Sequence, residues 1–294
     1  MTQTKSPSLT KTPIEWCYNG TSHGYSWNFV TGCTKISAGC ANCYAADIAH
    51  RFWGNRPFSD VRFHEDRLTA PLKLTKPANV FVNSMSDVFH EHVSFAVVQD
   101  ALRIMEATPQ LHYILLTKRA ARMQQFFNEY AQTSKGSWAY TPLQNVTIGV
   151  SVEDNRALDR IGHLQMTPAA QRFISFEPLL EEVNAMSQIR SMSNPIHHAV
   201  IGGESGRGAR DNYLHWVSSL MWQCDELSIK VFVKQLGAKF YVERPSNETR
   251  QRYHTKSSKG GKPEEWPQVL RRRDLLLPPI VARAQAFALR DVKK

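Results

Sequence analysis

From residue 79 to residue 237 the chain alternates two hydrophobic patterns. Short apolar, β-branched runs each end in a polar or glycine-bearing cluster: NVFVNSMSD (79–87), LHYILLTKR (111–119), NVTIGVSVED (145–154), QRFISFEPL (171–179), HHAVIGGESG (197–206) and IKVFVKQLG (229–237). Between them lie segments such as SFAVVQDALRIMEAT (94–108), AARMQQFFNEYAQ (120–132) and YLHWVSSLMWQCDEL (213–227). Their apolar residues recur at three- and four-residue spacing, which predicts helices. The runs are continuously apolar rather than alternating, as in parallel strands covered on both faces. Residues 14–16 are a candidate for one further strand.

This βα repeat predicts an α/β protein with a full or partial (β/α) TIM-type barrel, an N-terminal cysteine loop and an irregular basic C-terminal extension. Periodicity alone leaves an open Rossmann-type sheet as the alternative. The barrel is favoured because every run carries its polar residues at its C-terminal end, and in a barrel those ends meet on one face. The expected organisation is a flexible tail over 1–12, a barrel over 13–242, and a basic extension over 243–294 that packs on the barrel and ends in a helix-like stretch (280–294).

Charge and composition narrow the picture. The chain carries a net charge of +10, and residues 243–294 hold 13 Lys/Arg against 6 Asp/Glu. That excess suggests an anionic partner such as a nucleic acid, or a solvated basic tail. No apolar run approaches the length of a membrane helix, and the start lacks the apolar core of a secretory signal. The expectation is a cytoplasmic protein without membrane contact, whose thiols serve as ligands or stay free.

Three of the five cysteines sit in TGCTKISAGCANCYA (31–45), spaced C-x6-C-x2-C as Cys33, Cys40 and Cys43. A structural zinc site closes with four ligands, for which Cys17, His23, His50 and His64 are the nearest candidates. An iron–sulfur cluster on three thiolates instead leaves one iron open to a small molecule. Gly32 and Gly39 precede the first two cysteines and permit close wrapping of the backbone. Cys224 lies on an apolar helix face and reads as core; Cys17 has no assignment.

The motifs WNFVTGC (27–33), SAGCANCYA (37–45), VNSMSDVFH (82–90), LTKR (116–119), GVSVEDN (149–155), SFEPL (175–179), VIGGESGRGAR (200–210), VKQ (233–235) and KGGKPEEWP (259–267) resemble the phage protein gp-thirty-seven/gp-sixty-eight family. Its members look like diverged radical S-adenosylmethionine (SAM) proteins. The commonest radical-SAM spacing is C-x3-C-x2-C, so the six-residue gap here is a departure. Phe29 stands where the family has Pro, and CYNGTSHGYS (17–26) is longer than the usual connection.

The resemblance implies a 4Fe–4S cluster on Cys33, Cys40 and Cys43, with S-adenosyl-L-methionine on the open iron and a 5′-deoxyadenosyl radical as the reactive species. The strand-end residues Asn83, Ser84, Asp87, Lys118, Ser151, Glu153, Asn155, Gly202, Gly203, Glu204 and Ser205 are candidates to hold the cofactor. Arg119 joins Lys118 as a candidate for an anion. Glu177, Glu204 and Lys118 are candidate catalytic groups, with Lys118 or Lys234 as a partner for Glu177. A nucleic acid or nucleotide substrate and a flavodoxin- or ferredoxin-type reductant are the candidate partners. Two other classes remain open from the residues: a non-catalytic zinc- or cluster-stabilised nucleic-acid-binding protein, and a metal-free hydrolase using Glu177 and Glu204 as acid and base.

Overall fold

The structure, a computed structural model, describes residues 9–18, 24–133, 142–243 and 250–274. Its main sheet has eight strands: β1 (Thr10–Lys11), β2 (Tyr25–Trp27), β3 (Ala78–Val82), β4 (Leu111–Thr117), β5 (Val146–Ser151), β6 (Gln171–Phe176), β7 (His198–Gly202) and β8 (Lys230–Gln235). They lie side by side in chain order. β1 pairs antiparallel to β2, and every later pairing from β2 to β8 is parallel. Among the described residues, the connecting helices of five or more residues are α1 (Tyr44–Phe52), α2 (Phe95–Glu106), α3 (Ala120–Thr133), α4 (Asp159–Met166), α5 (Met186–Arg190) and α6 (Leu214–Glu226).

Sequential order has a consequence. Parallel crossovers are right-handed, so crossovers that all step the same way put all helices on one face. The strands' outward residues, among them Val80, Leu115, Ile148, Ile174, Ile201 and Val233, share a buried core with helix residues such as Leu102, Phe126 and Leu220. The inward residues Phe81, Ile114, Phe173, Val200 and Phe232 form a second cluster with Trp16 and Cys17. In a flat sheet Phe81 and Phe232 would stand about 24 Å apart, five strand spacings. Sharing one cluster therefore requires the sheet to curl. Among the described residues the two ends do not pair, so the sheet is an open barrel.

Trp16 fills the floor of this half-barrel. Residues 14–16, expected as a strand, instead belong to a 3-10 turn over Glu15–Cys17, and the first parallel strand is Tyr25–Trp27. The turn sets the indole edge-on to Phe81, centroids 5.0 Å apart, and against Phe173 at 5.7 Å. Phe173 lies over Gly149, where a Cβ would stand 2.2 Å from the ring. The inner face is thus plugged by aromatic bulk, which accounts for strands that read as apolar on both faces. Cys17 belongs to this floor and Cys224 to the outer core, both buried.

The free edge of β8 is covered by the last described residues. Val233 donates to Arg272 O and Asp274 N–H donates to Val231 O, each at 2.9 Å. Arg273 pairs with Glu15 at 2.6 Å, donates to Lys234 O, and lies over Phe232 and Trp266. Arg272 pairs with Asp225 and Asp274. Part of the basic C-terminal charge is therefore spent inside the fold. At the opposite edge Thr10 and Lys11, from the segment expected as a flexible tail, form β1. The helix-like stretch 280–294 lies outside the described residues. Among the described residues no helix is long and apolar enough to cross a membrane.

Truncating Trp16, 4% exposed, opens the floor of the barrel. Trp16→Ala is expected to cost about 3–5 kcal/mol, a fall in thermal midpoint of roughly 10 °C. Trp222→Ala, at a side chain 59% exposed, should leave the midpoint in place. Equal midpoints for both variants in circular-dichroism melts would contradict this account of the floor.

Candidate functional site

All the parallel strands end on one face, and the cysteine loop lies across it. A cavity of about 180 Å³ opens there, lined by Cys33, Cys40 and Cys43 from the loop and Tyr44, Ala45 and Ala46 from the start of α1. The ends of β3, β4 and β5 supply Asn83, Ser84, Ser86, Asp87, Leu116, Thr117, Lys118, Arg119 and Ser151. Nine residues expected at the site thus line one cavity: the three cysteines, Asn83, Ser84, Asp87, Lys118, Arg119 and Ser151.

Asn83 takes a left-handed backbone, φ 57°, and Asn tolerates that region better than most residues. Its Oδ1 accepts from Val30 N–H at 3.2 Å, which fixes the amide so that Nδ2 is a buried donor without a partner. Such a donor in a cavity wall invites an acceptor from a ligand.

Asp87 is heavily engaged. It accepts from Thr117 Oγ1 at 2.8 and 2.9 Å, from Phe89 N–H at 2.9 Å and from Lys118 N–H at 3.2 Å, and it pairs with Arg119 at 3.3 Å. Arg119 then spans to the loop. It donates to Thr34 Oγ1 at 2.9 Å and to Cys33 Sγ at 3.5 Å, and pairs with Glu91 at 2.9 Å. This guanidinium is 8% exposed. Burial would raise the Glu91 carboxyl, but its own backbone N–H and Arg119 outweigh that and leave its pKa at about 2.

Glu153, fully buried, does not line the cavity. It accepts from Ser37 Oγ and from Gly39 N–H, and pairs with Arg160 at 2.8 Å and Lys118 at 3.9 Å. Burial alone would raise its pKa, but Lys118, Arg160 and Ser37 hold it below the usual range. Glu204 follows the same pattern: Arg210 binds it at 2.6 and 2.9 Å, and Asn42 Nδ2 donates to it at 2.9 Å. Its pKa is also lowered, with burial outweighed by Arg210 and Asn42.

Gly202 and Gly203, Glu177, Asn155 and Ser205 are placed elsewhere on the mouth. A Cβ on Gly203 would stand 2.2 Å from Leu236 O, and one on Gly202 2.6 Å from Glu177 Oε1. The close approach these glycines permit is to the chain itself. Glu177 pairs with Lys234 at 2.9 Å rather than with Lys118. Asn155 holds the 181–184 turn through Glu181, Glu182 and Asn184. Sequence reasoning missed Thr34, Ser37, Asn42, Arg160 and Arg210, all bound up with the loop.

The three thiols suit a soft metal or cluster in donor type and in facing one cavity. Among the described residues no three His, Cys, Asp or Glu side chains are gathered closely enough to hold a metal ion. Cys43 is the N-cap residue of α1 without its side chain capping the helix, so its sulfur is not committed there. Of the candidate fourth ligands, Cys17 lies in the floor, His64 bonds Thr31 at 2.7 Å, and His23 is outside the described residues. Phe29 is a buried core residue against Trp27, centroids 4.5 Å apart.

The fold and site define an α/β protein built as an open parallel half-barrel with a cysteine-lined cavity at the strands' C-terminal mouth. The chain belongs to the family described as protein of unknown function (DUF5131), whose pattern it matches over residues 11–267. No curated protein matches it. Among solved structures it is similar to spore photoproduct lyase complexed with dinucleoside spore photoproduct, at 10% identity and a TM-score of 0.47, covering 89% of this chain and 76% of that one. A mutant of that lyase with the same dinucleoside gives 10% identity, a TM-score of 0.46 and the same coverage. Similarity at this level fixes no activity.

Cys33 offers a direct check on the site's electrostatics. Burial and Asp87 push its thiol up to about 11, against the pull of Arg119. A raised pKa means the fold favours the thiol; that contribution is whole below the ordinary thiol pKa and is lost as pH rises toward 11. Alkylation of Cys33 by iodoacetamide, followed by peptide mass spectrometry, should keep rising with pH through about 11. A plateau below pH 9 would refute this environment.

Proposed function

We propose that this cavity carries radical S-adenosylmethionine chemistry, with the thiolates of Cys33, Cys40 and Cys43 holding a 4Fe–4S cluster. The observation that carries this reading is the cavity itself, which three thiols and eight polar side chains at the strand ends line together. The motifs that resemble a radical-SAM-like phage family support it. Three thiolates leave one iron free for the amino acid part of SAM. When bound, the pair supplies an organic radical able to abstract hydrogen from a substrate.

The chain's own residues bind and orient. Asn83 Nδ2 offers an unpartnered buried donor, and Ser84 and Ser151 offer hydroxyls. Lys118, 19% exposed, presents a cation to a carboxylate. Arg119 donates to Cys33 Sγ, which favours the thiolate. Phe58, Phe81 and Leu116 line the same cavity and restrict water. Glu177 with Lys234 faces the other half of the mouth, where a substrate proton can be held. Glu204 and Asp87 act through the loop. A nucleic acid or nucleotide is the proposed substrate class, with electrons from a flavodoxin- or ferredoxin-type protein.

Anaerobic reconstitution with iron and sulfide tests the reading. Wild-type protein should turn brown, and with dithionite and SAM it should release 5′-deoxyadenosine; Cys40→Ala should do neither. A colourless protein holding one zinc per chain would establish the nucleic-acid-binding alternative instead.

A further inference from the structure

The loop from Cys33 to Cys43 is fastened to the barrel by three carboxylates from three different strand ends. Asp87, after β3, reaches Thr34 through Arg119. Glu153, after β5, takes Ser37 Oγ and Gly39 N–H. Glu204, after β7, takes Asn42 Nδ2, which also donates to Gly208 O at 2.8 Å. Inside the loop, Lys35 Nζ donates to Ala41 O at 3.0 Å. Never more than two residues separate anchored positions, although the first gap is six residues long.

The fit is close at each fastening. A Cβ on Gly39 would stand 2.8 Å from Glu153 Oε1, and one on Gly208 3.1 Å from Asn42 Oδ1. Each carboxylate also has its own cation: Arg119 for Asp87, Arg160 and Lys118 for Glu153, Arg210 for Glu204. With Glu91, which shares Arg119, four cations meet four carboxylates and leave no excess negative charge beside the thiols. A carboxylate serving only the barrel would need its cation but not the loop. Here Glu153 and Glu204 do both.

We propose that Glu153 and Glu204 are positioning residues that hold the six-residue gap and the Asn42 turn in shape, so that Cys40 and Cys43 face the cavity beside Cys33. The ligand rests on the cluster reading above; the fastening does not. Residues in this position around a metal set affinity without touching it.

Two measurements test this, one independent of iron. Lys35 is exposed, so trypsin can report loop opening in the metal-free protein. Ser37→Ala combined with Asn42→Ala removes the loop's two side-chain donors and leaves Glu153 with Gly39 N–H and Arg160 and Glu204 with Arg210, so the thermal midpoint should fall by no more than a few degrees. Cleavage at Lys35 should rise about tenfold, and extraction of iron from reconstituted protein by a chelator should also quicken about tenfold. Glu153→Ala should do the same, and Glu153→Gln, which keeps an acceptor for Ser37 and Gly39, should recover most of the wild-type resistance. Wild-type rates in the double variant would overturn the proposal. If wild-type protein takes up no iron, the cluster reading fails while the trypsin comparison still decides this one.

Discussion

A carboxylate taken out of water has to be paired, and at the mouth of this barrel each of three buried ones meets that demand on two sides. Asp87, Glu153 and Glu204 lie within 6% of full burial, and none could be ionised there without a cation. The cations come from the barrel: Arg119, Arg160 and Arg210. The remaining lone pairs are met largely by the segment that carries the cysteines, directly from Ser37, Gly39 and Asn42 and through Arg119 from Thr34. Folding of the strands and folding of the loop are therefore coupled through the same oxygen atoms. Removing a loop donor leaves a buried oxygen short of a partner; removing the carboxylate strands a guanidinium.

The floor of the barrel makes that mouth available. Trp16 fills the lumen at mid-height with Phe81, Phe173 and Phe232, so only the strands' C-terminal ends remain for polar chemistry. Gly149 gives up a side chain to admit Phe173, and Glu15 ties the plug to the far edge through Arg273 and Lys259. The half-barrel is thus held at its open seam by ion pairs and at its centre by aromatic packing. Part of the net charge of +10, which invites a reading of nucleic-acid affinity, is already committed to this seam.

The strands were legible because burial on both faces leaves an unbroken apolar run; all six runs contain a strand, as with Val146–Ser151 inside 145–154. Two features escaped. Tyr25–Trp27 is three residues long, too short for a period to register. Residues 14–16 look strand-like, but their role is set by the lumen that Trp16 enters, which no local pattern describes. At the site the same division holds. The thiols and the polar strand ends stand out as composition. The fastening does not, because Ser37 and Glu153 are 116 residues apart and Asn42 and Glu204 are 162 apart. Glu153 and Glu204 read as candidates to hold a cofactor because each stands at the polar end of an apolar run. The partner found was the loop.

That exchange divides the mouth. β3, β4 and β5 end in groups that line the thiol cavity, with Asn83 Nδ2 unpartnered there. β6, β7 and β8 end in groups already paired, Glu177 with Lys234 and Glu204 with Arg210 and the loop's Asn42. The six-residue gap belongs to this division. Within that gap Ser37 and Gly39 supply the contacts by which Glu153, just after β5, holds the loop over the cavity.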